Sequence, residues 1–378
     1  MKNPELKLPK FKKHEKSFLS QVNGKLCFAF DFGEYATKIA VASVSKKKID
    51  IKNMLLVEHD DKLYQLSPSS LPEYKKQIQS VLQKAGLSTA GNVGLVTVNS
   101  RKLISRRMEV PYASDEDRDG IVAFEMSEDL ALNIDDYYFQ HKVDRVYEKN
   151  DVQVCSVWAA ALAKETCDTY ARLLEELRLK PLVMDVDANS VGRILTMDPG
   201  ISSQVAGRTF AVIDYGMRGT EVSIYQNGVL MQTSNIDLGD RRLVDAAKAV
   251  LGNQIVDIHN QNKLIVPPQE IYGILHSSLT AQSENARVFT DAVEEWLSEI
   301  NAIVKRYNLE YTVNPIDGML LYGGSLQLGW LKAYLEKYIR VPTSIVSSAS
   351  FCSVSKRVKQ TENMIPQFLN TLGLFLMR

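Results

Sequence analysis

Three short turns in this 378-residue sequence place glycine directly after a predicted strand. The first is Asp31-Phe-Gly-Glu-Tyr-Ala-Thr-Lys38, and the second is Asp214-Tyr-Gly-Met-Arg-Gly-Thr220. A tight turn between two strands presents successive backbone N–H groups to phosphate oxygens, and glycine lets a phosphate approach the backbone closely. An aspartate at such a turn can hold hydrated Mg²⁺ through water. The two turns therefore predict polyphosphate binding together with a divalent cation.

The third turn, Tyr322-Gly-Gly-Ser325, precedes a predicted helix. Paired glycines would let adenine or ribose lie against bare backbone, with the helix N-terminus near the α-phosphate. Asp-x-Gly alone ends many ordinary hairpins, so only the combination of turns favours an ATP-binding fold. P-loop and Rossmann folds are not favoured, because neither a Walker A sequence nor G-x-G-x-x-G follows the first strand. The candidate nucleotide-binding residues are Asp31, Gly33, Thr37, Lys38, Asp214, Gly216, Gly219, Thr220, Gly323, Gly324 and Ser325, with Asp31 and Asp214 as metal candidates and Asp214 as the catalytic candidate.

The elements that must position these turns occur twice in the chain. Strands predicted at 25–33, 37–44 and 48–57 form a meander, and the same order recurs at 209–216, 220–225 and 229–236. This repetition predicts an internal duplication. The other predicted strands are 92–99, 102–110, 137–147, 153–161, 182–186, 318–325 and 341–346, and the predicted helices are 71–85, 113–130 with Ser114 as N-cap, 163–179, 190–197, 241–250, 291–307, 330–338 and 367–377.

Composition limits the classes of function. Lys+Arg and Asp+Glu both number 45, so no net charge draws the chain to nucleic acid. The four cysteines form no C-x-x-C pair, which favours thiols in a reducing compartment. No apolar run is long enough to span a bilayer. The Lys-rich N-terminal segment lacks the apolar stretch of a secretory signal, and it predicts either a solvated tail or a weak anchor to anionic lipid or to a partner.

Six segments carry a resemblance to a known family: Arg106–Pro111, Ile121–Glu125, Val157–Lys164, Leu177–Asp185, Asp187–Ser190 and Leu372–Arg378. From about Leu26 to Arg378 the sequence resembles the PilM/FtsA branch of the actin/Hsp70/sugar-kinase superfamily, and the PilM family most closely. This resemblance implies an α/β, duplicated actin-like (ribonuclease H-like) ATPase fold with an FtsA-type inserted subdomain. FtsA would continue into a C-terminal amphipathic helix, which this sequence does not show.

The resemblance also implies a division into subdomains. Residues 1–24 are expected to be a basic flexible tail, 106–185 the insert and 251–314 a helical subdomain. Residues 25–105, with 186–205 and the helix 366–378, are expected to form the first actin-like subdomain. Residues 206–250 and 315–355 are expected to form the second.

Departures from the family pattern bear on catalysis. Glu34 and Tyr35 stand where the family's first loop is rich in serine, and a carboxylate beside phosphates is unfavourable unless a cation screens it. The family's adenosine-contacting Glu and Lys fall near Asn260 and Lys263, so only the lysine is retained and Lys263 joins the binding candidates. ATP and Mg²⁺ are the implied cofactors, and weak or absent ATP hydrolysis is expected.

By resemblance, the chain is expected to be a cytoplasmic scaffold at the inner face of the cytoplasmic membrane, in a type IV pilus or related type II secretion-like machine. Its implied partners are the N-terminal peptide of a PilN-like membrane protein and the pilus motor ATPases. The candidate lining of the peptide groove, between the first subdomain and the insert, is Arg106, Arg107, Phe124 and Tyr138. Two alternatives stay open. One is an FtsA-like cell-division tether, and the other is a small-molecule kinase with Asp187 or Glu221 as its base.

Overall fold

The computed structural model describes residues 17–59, 65–251, 256–257, 263–264, 284–324, 328–356, 358 and 364–377. Its strands are β1 (Leu26–Phe32), β2 (Ala36–Val44), β3 (Ile49–Glu58), β4 (Val93–Val98), β5 (Leu103–Pro111), β6 (Tyr137–Lys149), β7 (Val152–Ala163), β8 (Lys180–Val186), β9 (Thr209–Tyr215), β10 (Thr220–Gln226), β11 (Val229–Ile236), β12 (Val256–Asp257), β13 (Lys263–Leu264), β14 (Gly318–Gly323), β15 (Thr343–Ile345) and β16 (Ser353–Val354). Its α-helices are α1 (Phe18–Val22), α2 (Leu71–Lys84), α3 (Asp115–Asp129), α4 (Lys164–Glu176), α5 (Asp187–Met197), α6 (Pro199–Val205), α7 (Asp240–Leu251), α8 (Glu284–Glu310), α9 (Leu328–Ile339) and α10 (Met364–Gly373), and 3₁₀ turns lie at Ser100–Lys102, Ile134–Asp136 and Leu374–Leu376.

Two sheets share one topology, which confirms the predicted duplication. The first has the order β16-β3-β2-β1-β4-β8 and the second β11-β10-β9-β14-β15. In each sheet a meander of three strands is antiparallel. The strand that opens the meander then pairs in parallel with a later strand, and that strand pairs in parallel with another. The opening strands β1 and β9 are therefore equivalent, and so are the turns that follow them.

The central parallel strands are buried along their whole length. All six residues of β4 and all six of β14 are buried, because helices cover both faces of a sheet at this position. A continuous apolar run such as Val93–Val98 therefore forms a strand although it lacks alternation. The core between α7, α8 and the second sheet includes Trp296, whose indole N–H donates to Thr220 Oγ1 at 2.8 Å.

A third sheet of three antiparallel strands has the order β5-β7-β6, with α3 packed on one face. Helix α3 begins where the sequence predicts, because Ser114 Oγ accepts a hydrogen bond from the backbone N–H of Asp117 at 3.2 Å. Strand β8 pairs with β4 in the six-stranded sheet, outside the three-stranded sheet with which the sequence analysis grouped it.

The C-terminal helix α10 lies in the middle of the molecule, since it contacts β1 and β2 of the first sheet and β14 of the second. Residues Phe368 to Gly373 are all buried. Gly373 approaches α5 so closely that a Cβ atom would lie 2.2 Å from the carbonyl oxygen of Ser190. The helix thus joins the two halves directly beneath their matched turns.

Two segments differ from the sequence predictions. The predicted tail reaches residue 24, but residues 18–22 form α1, and Phe18 and Val22 are buried in the core of the first half. Strand β16 was not predicted because its two residues carry no periodicity of their own. The Lys-rich segment 1–16 and most of 251–283 lie outside the described residues.

Candidate functional site

The carboxylates of Asp31 and Asp214 converge on one cleft between the two halves. Asp31 is the last residue but one of β1, and Asp214 is at the equivalent place in β9. Both contact the amide of Asn370 on α10, whose Nδ2 lies 3.0 Å from Asp214 Oδ2 and 3.5 Å from Asp31 Oδ2. The duplicated topology explains this convergence, because the equivalent strands end at facing edges of their sheets.

The cleft encloses a cavity of about 300 Å³. Seven of the residues predicted from the sequence line it, namely Asp31, Gly33, Lys38, Asp214, Gly216, Gly219 and Gly324. Thr37, Thr220 and Gly323 do not line it. Ser325 and the side chain of Lys263 lie outside the described residues.

The two predicted threonines have structural partners instead. Thr37 is fully buried, and its Oγ1 lies 2.9 Å from His59 Nε2. Thr220 donates its hydroxyl to the carbonyl oxygen of Leu238 at 2.8 Å and accepts from Trp296. Strand alternation directs both hydroxyls into the layers behind the cleft, so neither faces the cavity.

The glycines of the turns differ in the atoms that lie beside their Cα atoms. Gly323 has φ of +130°, and a Cβ atom there would lie 2.3 Å from the carbonyl oxygen of Tyr215. A Cβ atom on Gly219 would overlap the Arg101 guanidinium at 1.2 Å. Packing within the protein therefore accounts for these two glycines. Gly324, by contrast, has open space beside its Cα and faces the cavity.

The floor of the cleft holds several buried acids and one buried cation. Lys38 Nζ lies 2.8 Å from Asp31 Oδ2. Burial disfavours the Lys38 ammonium, but the carboxylates of Asp31 and Asp214 outweigh that effect and raise its pKa. Burial raises the pKa of Asp214, against the opposing attraction of Lys38. The positive charge at this position is therefore the ammonium of Lys38, a side chain of the protein.

Asp187, the first residue of α5, is a buried acid that lines the cleft. It is 1% exposed, and Thr97 Oγ1 donates to its Oδ1 at 2.6 Å, while Oδ2 has no hydrogen-bond partner among the described residues. Burial, followed by the charges of Asp31 and Glu221, raises the pKa of Asp187 well above its ordinary value. The group is thereby held toward its neutral form.

Arg101 links the two halves across the mouth of the cleft. Its Nη2 donates to the carbonyl oxygen of Ile236 at 2.8 Å, and its Nη1 lies 3.6 Å from Glu34 Oε1. Glu34 is also 3.9 Å from Arg218 Nε. The carboxylate that the sequence placed beside the expected phosphates is thus screened by two guanidinium groups.

Four cationic side chains in the cleft can contact an anion, beside the six carboxylates of Asp31, Glu34, Asp187, Asp214, Glu221 and Asp240 that line the same cavity. Lys38, Lys102, Arg101 and Arg218 line it, together with the backbone of the two glycine turns. Sequence reasoning missed Arg101, Lys102, Arg218 and Asn370. Arg218 lies inside the second turn and could have been found there, whereas the others reach the cleft only through the fold.

A second cavity, of about 460 Å³, separates the three-stranded sheet from α4, β8 and the start of β11. We call it the groove. Its lining is mostly apolar, with polar groups including Lys142, Asp144 and Asp168. Six consecutive residues of β8, Pro181–Val186, line it, and all six are half-buried. Because consecutive residues of β8 line the groove, it follows the edge of this strand. Strand β8 is the last in the order of the six-stranded sheet.

The predicted groove residues separate onto two faces of the three-stranded sheet. Tyr138 lines the groove. Arg107 lies at its border, where Nη2 contacts the carbonyl oxygen of Leu230 and Asp144 Oδ2, each at 3.0 Å. Arg106 pairs instead with Asp129 on α3, at 2.6 Å, and Phe124 is 61% exposed on α3. Neither Arg106 nor Phe124 is among the groove-lining residues.

Comparison with known proteins gives a family and a fold. The family model for type IV pilus assembly protein PilM matches residues 29–378. The solved PilM-PilN type IV pilus biogenesis complex matches with a TM-score of 0.71 at 16% identity, covering 93% of this chain and 97% of that one. Ethanolamine utilization protein EutJ from Carboxydothermus hydrogenoformans matches with a TM-score of 0.47 at 10% identity, covering 95% and 92% of the two chains. MreB 5 of Spiroplasma citri bound to AMPPNP matches at 0.44 and 9%, covering 87% and 93%.

The duplicated sheets and the cleft between them define an α/β protein of the actin-like ATPase fold, as the sequence predicted. Because the family model covers nearly the whole chain, the chain belongs to the PilM family of type IV pilus assembly proteins. No helix among the described residues is both long and apolar enough to cross a membrane.

Proposed function

We propose that this chain is a cytoplasmic scaffold of a type IV pilus assembly machine that captures the N-terminal peptide of a PilN-like membrane protein in the groove. Family membership supports the assembly role. The observation that carries the peptide role is the groove itself, which runs along the edge of β8 beneath an apolar wall. The alternatives, an FtsA-like tether and a small-molecule kinase, are not favoured by the family match.

The shape and chemistry of the groove suit an extended chain. An edge strand carries backbone N–H and C=O groups that an incoming strand can pair with. Facing this edge, β7 presents Trp158, Ala160 and Leu162, which are apolar and can hold alternate side chains of a peptide. Main-chain pairing would supply affinity, and the apolar wall would supply specificity.

The cleft would bind a nucleotide, and ATP is the candidate. The support is its size, its four cationic side chains and its two facing glycine turns. The sequence prediction that Asp31 and Asp214 hold hydrated Mg²⁺ stays a prediction, and the contacts of both carboxylates with Asn370 argue against an ion that touches them directly. Burial and the charges of Asp31 and Glu221 raise the pKa of Asp187, the acid named as a base in the kinase alternative, and weak or absent hydrolysis stays a prediction.

Contacts with pilus motor ATPases and residence at the inner face of the membrane belong to the same proposal. The chain would reach the membrane through its PilN-like partner, since no helix among the described residues crosses a bilayer. The segment 1–16, where a basic anchor was predicted as an alternative, lies outside the described residues.

Calorimetric titration of a PilN-type N-terminal peptide into the full chain tests the peptide role. Ala160→Arg places a long charged side chain in the groove, and we expect it to abolish binding. Phe124→Ala, on the opposite face of the three-stranded sheet, is the matched control and should bind like the wild type. Loss of binding in Phe124→Ala, with binding retained in Ala160→Arg, would place the peptide elsewhere.

A further inference from the structure

The amide of Asn370 occupies the space between the two matched carboxylates. Its Nδ2 donates to Asp214 at 3.0 Å and approaches Asp31 at 3.5 Å, so both amide hydrogens have carboxylate acceptors. Its Oδ1 accepts the hydroxyl of Tyr322 at 2.9 Å, and its backbone oxygen accepts Ser190 Oγ at 2.6 Å. Asn370 is 3% exposed. These contacts hold the amide in one orientation.

Lys38 supplies charge at the same place. Its ammonium is 2.8 Å from Asp31 Oδ2, and its side chain is 16% exposed. A hydrated divalent cation between two aspartates would do two things: its waters would donate hydrogen bonds to the carboxylates, and its charge would attract phosphate. Asn370 provides the donors and Lys38 provides a positive charge.

The residues present do not fit a metal ion that binds to the protein directly. Within the described segments, no group of three or more His, Cys, Asp or Glu side chains is arranged to hold an ion. An ion in contact with Asp31 and Asp214 would have to displace both the Asn370 amide and the Lys38 ammonium.

We propose that Lys38 and Asn370 together take the place of the divalent cation, so that the cleft binds ATP without Mg²⁺. This inference rests on the proposed nucleotide role of the cleft. It assigns Asn370 to nucleotide binding as a positioning residue, since it acts by holding the two carboxylates rather than by touching the ligand.

Calorimetric titration of ATP into the full chain, once with excess EDTA and once with millimolar Mg²⁺, tests the proposal. We expect the two dissociation constants to agree within about threefold. If ATP binds at least tenfold more tightly with Mg²⁺, the inference is wrong although the nucleotide role stands. If ATP binds under neither condition, both are wrong.

The variant Asn370→Asp tests the proposal more directly, because it puts a third carboxylate in place of the amide. We expect it to weaken metal-free ATP binding at least tenfold and to make binding depend on Mg²⁺. Mg²⁺ alone should then raise the melting temperature of the variant but not that of the wild type, a readout that needs no nucleotide. Asn314→Asp, at an exposed position, is the matched control and should change neither measurement.

Lys38→Gln keeps the proposal testable if Asn370→Asp does not fold. Removing the ammonium should weaken metal-free ATP binding at least tenfold while circular dichroism shows a folded chain. Unchanged metal-free binding in a folded Lys38→Gln variant would overturn the inference.

Discussion

Replacing Arg107 with leucine will show whether this side chain anchors the three-stranded sheet. Its Nη2 joins β5 to the second half of the molecule through the carbonyl oxygen of Leu230, and it also pairs with Asp144. The side chains of Arg107 and Asp144 are 28% and 12% exposed. Arg107→Leu would leave the Asp144 carboxylate without this partner in a largely buried position.

The expected cost follows from these contacts. Breaking a buried ion pair by removing one partner costs about 3–5 kcal/mol. Because both side chains keep some exposure, we expect the lower end, a loss of about 3 kcal/mol in the free energy of unfolding. Adding Asp144→Asn to Arg107→Leu removes the unpaired charge and should recover about 1–2 kcal/mol.

Urea unfolding followed by circular dichroism measures these differences. Arg106→Leu is the matched control, because Arg106 pairs with Asp129 at the surface, where the two side chains are 38% and 51% exposed. It should cost less than about 1 kcal/mol. A loss below about 1 kcal/mol in Arg107→Leu, or no recovery in the double variant, would refute the anchoring role.

Three further predictions concern the cleft and the glycine turns beside it. The folded chain binds a proton at Asp187 more tightly than the unfolded chain does. Wild-type stability therefore falls as pH rises from the unfolded pKa of about 3.9 toward the raised folded pKa. The melting temperature of Asp187→Asn should rise relative to that of the wild type between pH 5 and pH 8, and a constant difference would contradict this. Gly323→Ala should lose about 2 kcal/mol or more in urea unfolding, because a Cβ atom would meet the Tyr215 backbone at 2.3 Å with φ at +130°. Glu34→Gln should tighten ATP binding by roughly threefold to tenfold in calorimetry, since it removes a carboxylate that competes for Arg101; weaker binding would show that Glu34 positions the arginine for the ligand.

Local signals were enough to predict most of the fold. Strand periodicity and glycine turns placed β1, β2, β9 and β10 correctly, and the helix-capping serine placed the start of α3. These features depend on neighbouring residues, so they can be read from a window of sequence. The repetition of one strand order predicted the internal duplication that the two sheets share.

The parts of the candidate site that sequence reasoning missed depend on distant contacts. Asn370 is 339 positions from Asp31, and Arg101 is 135 positions from the Ile236 carbonyl it binds. Nothing near either residue in the sequence distinguishes it from an ordinary helix or surface residue. The residues predicted to line the groove lie on both faces of the three-stranded sheet. Arg106 and Arg107, for example, are adjacent in one strand and therefore point to opposite faces.

Photo-crosslinking tests the peptide-capture role most directly. A PilN-type N-terminal peptide carrying a benzophenone side chain would be irradiated with the full chain, and the crosslinked residues identified by mass spectrometry. We expect crosslinks in β8 and on the groove side of β7, at Trp158, Ala160 and Leu162. Crosslinks confined to α3, or spread evenly over the surface, would contradict the assignment of the groove.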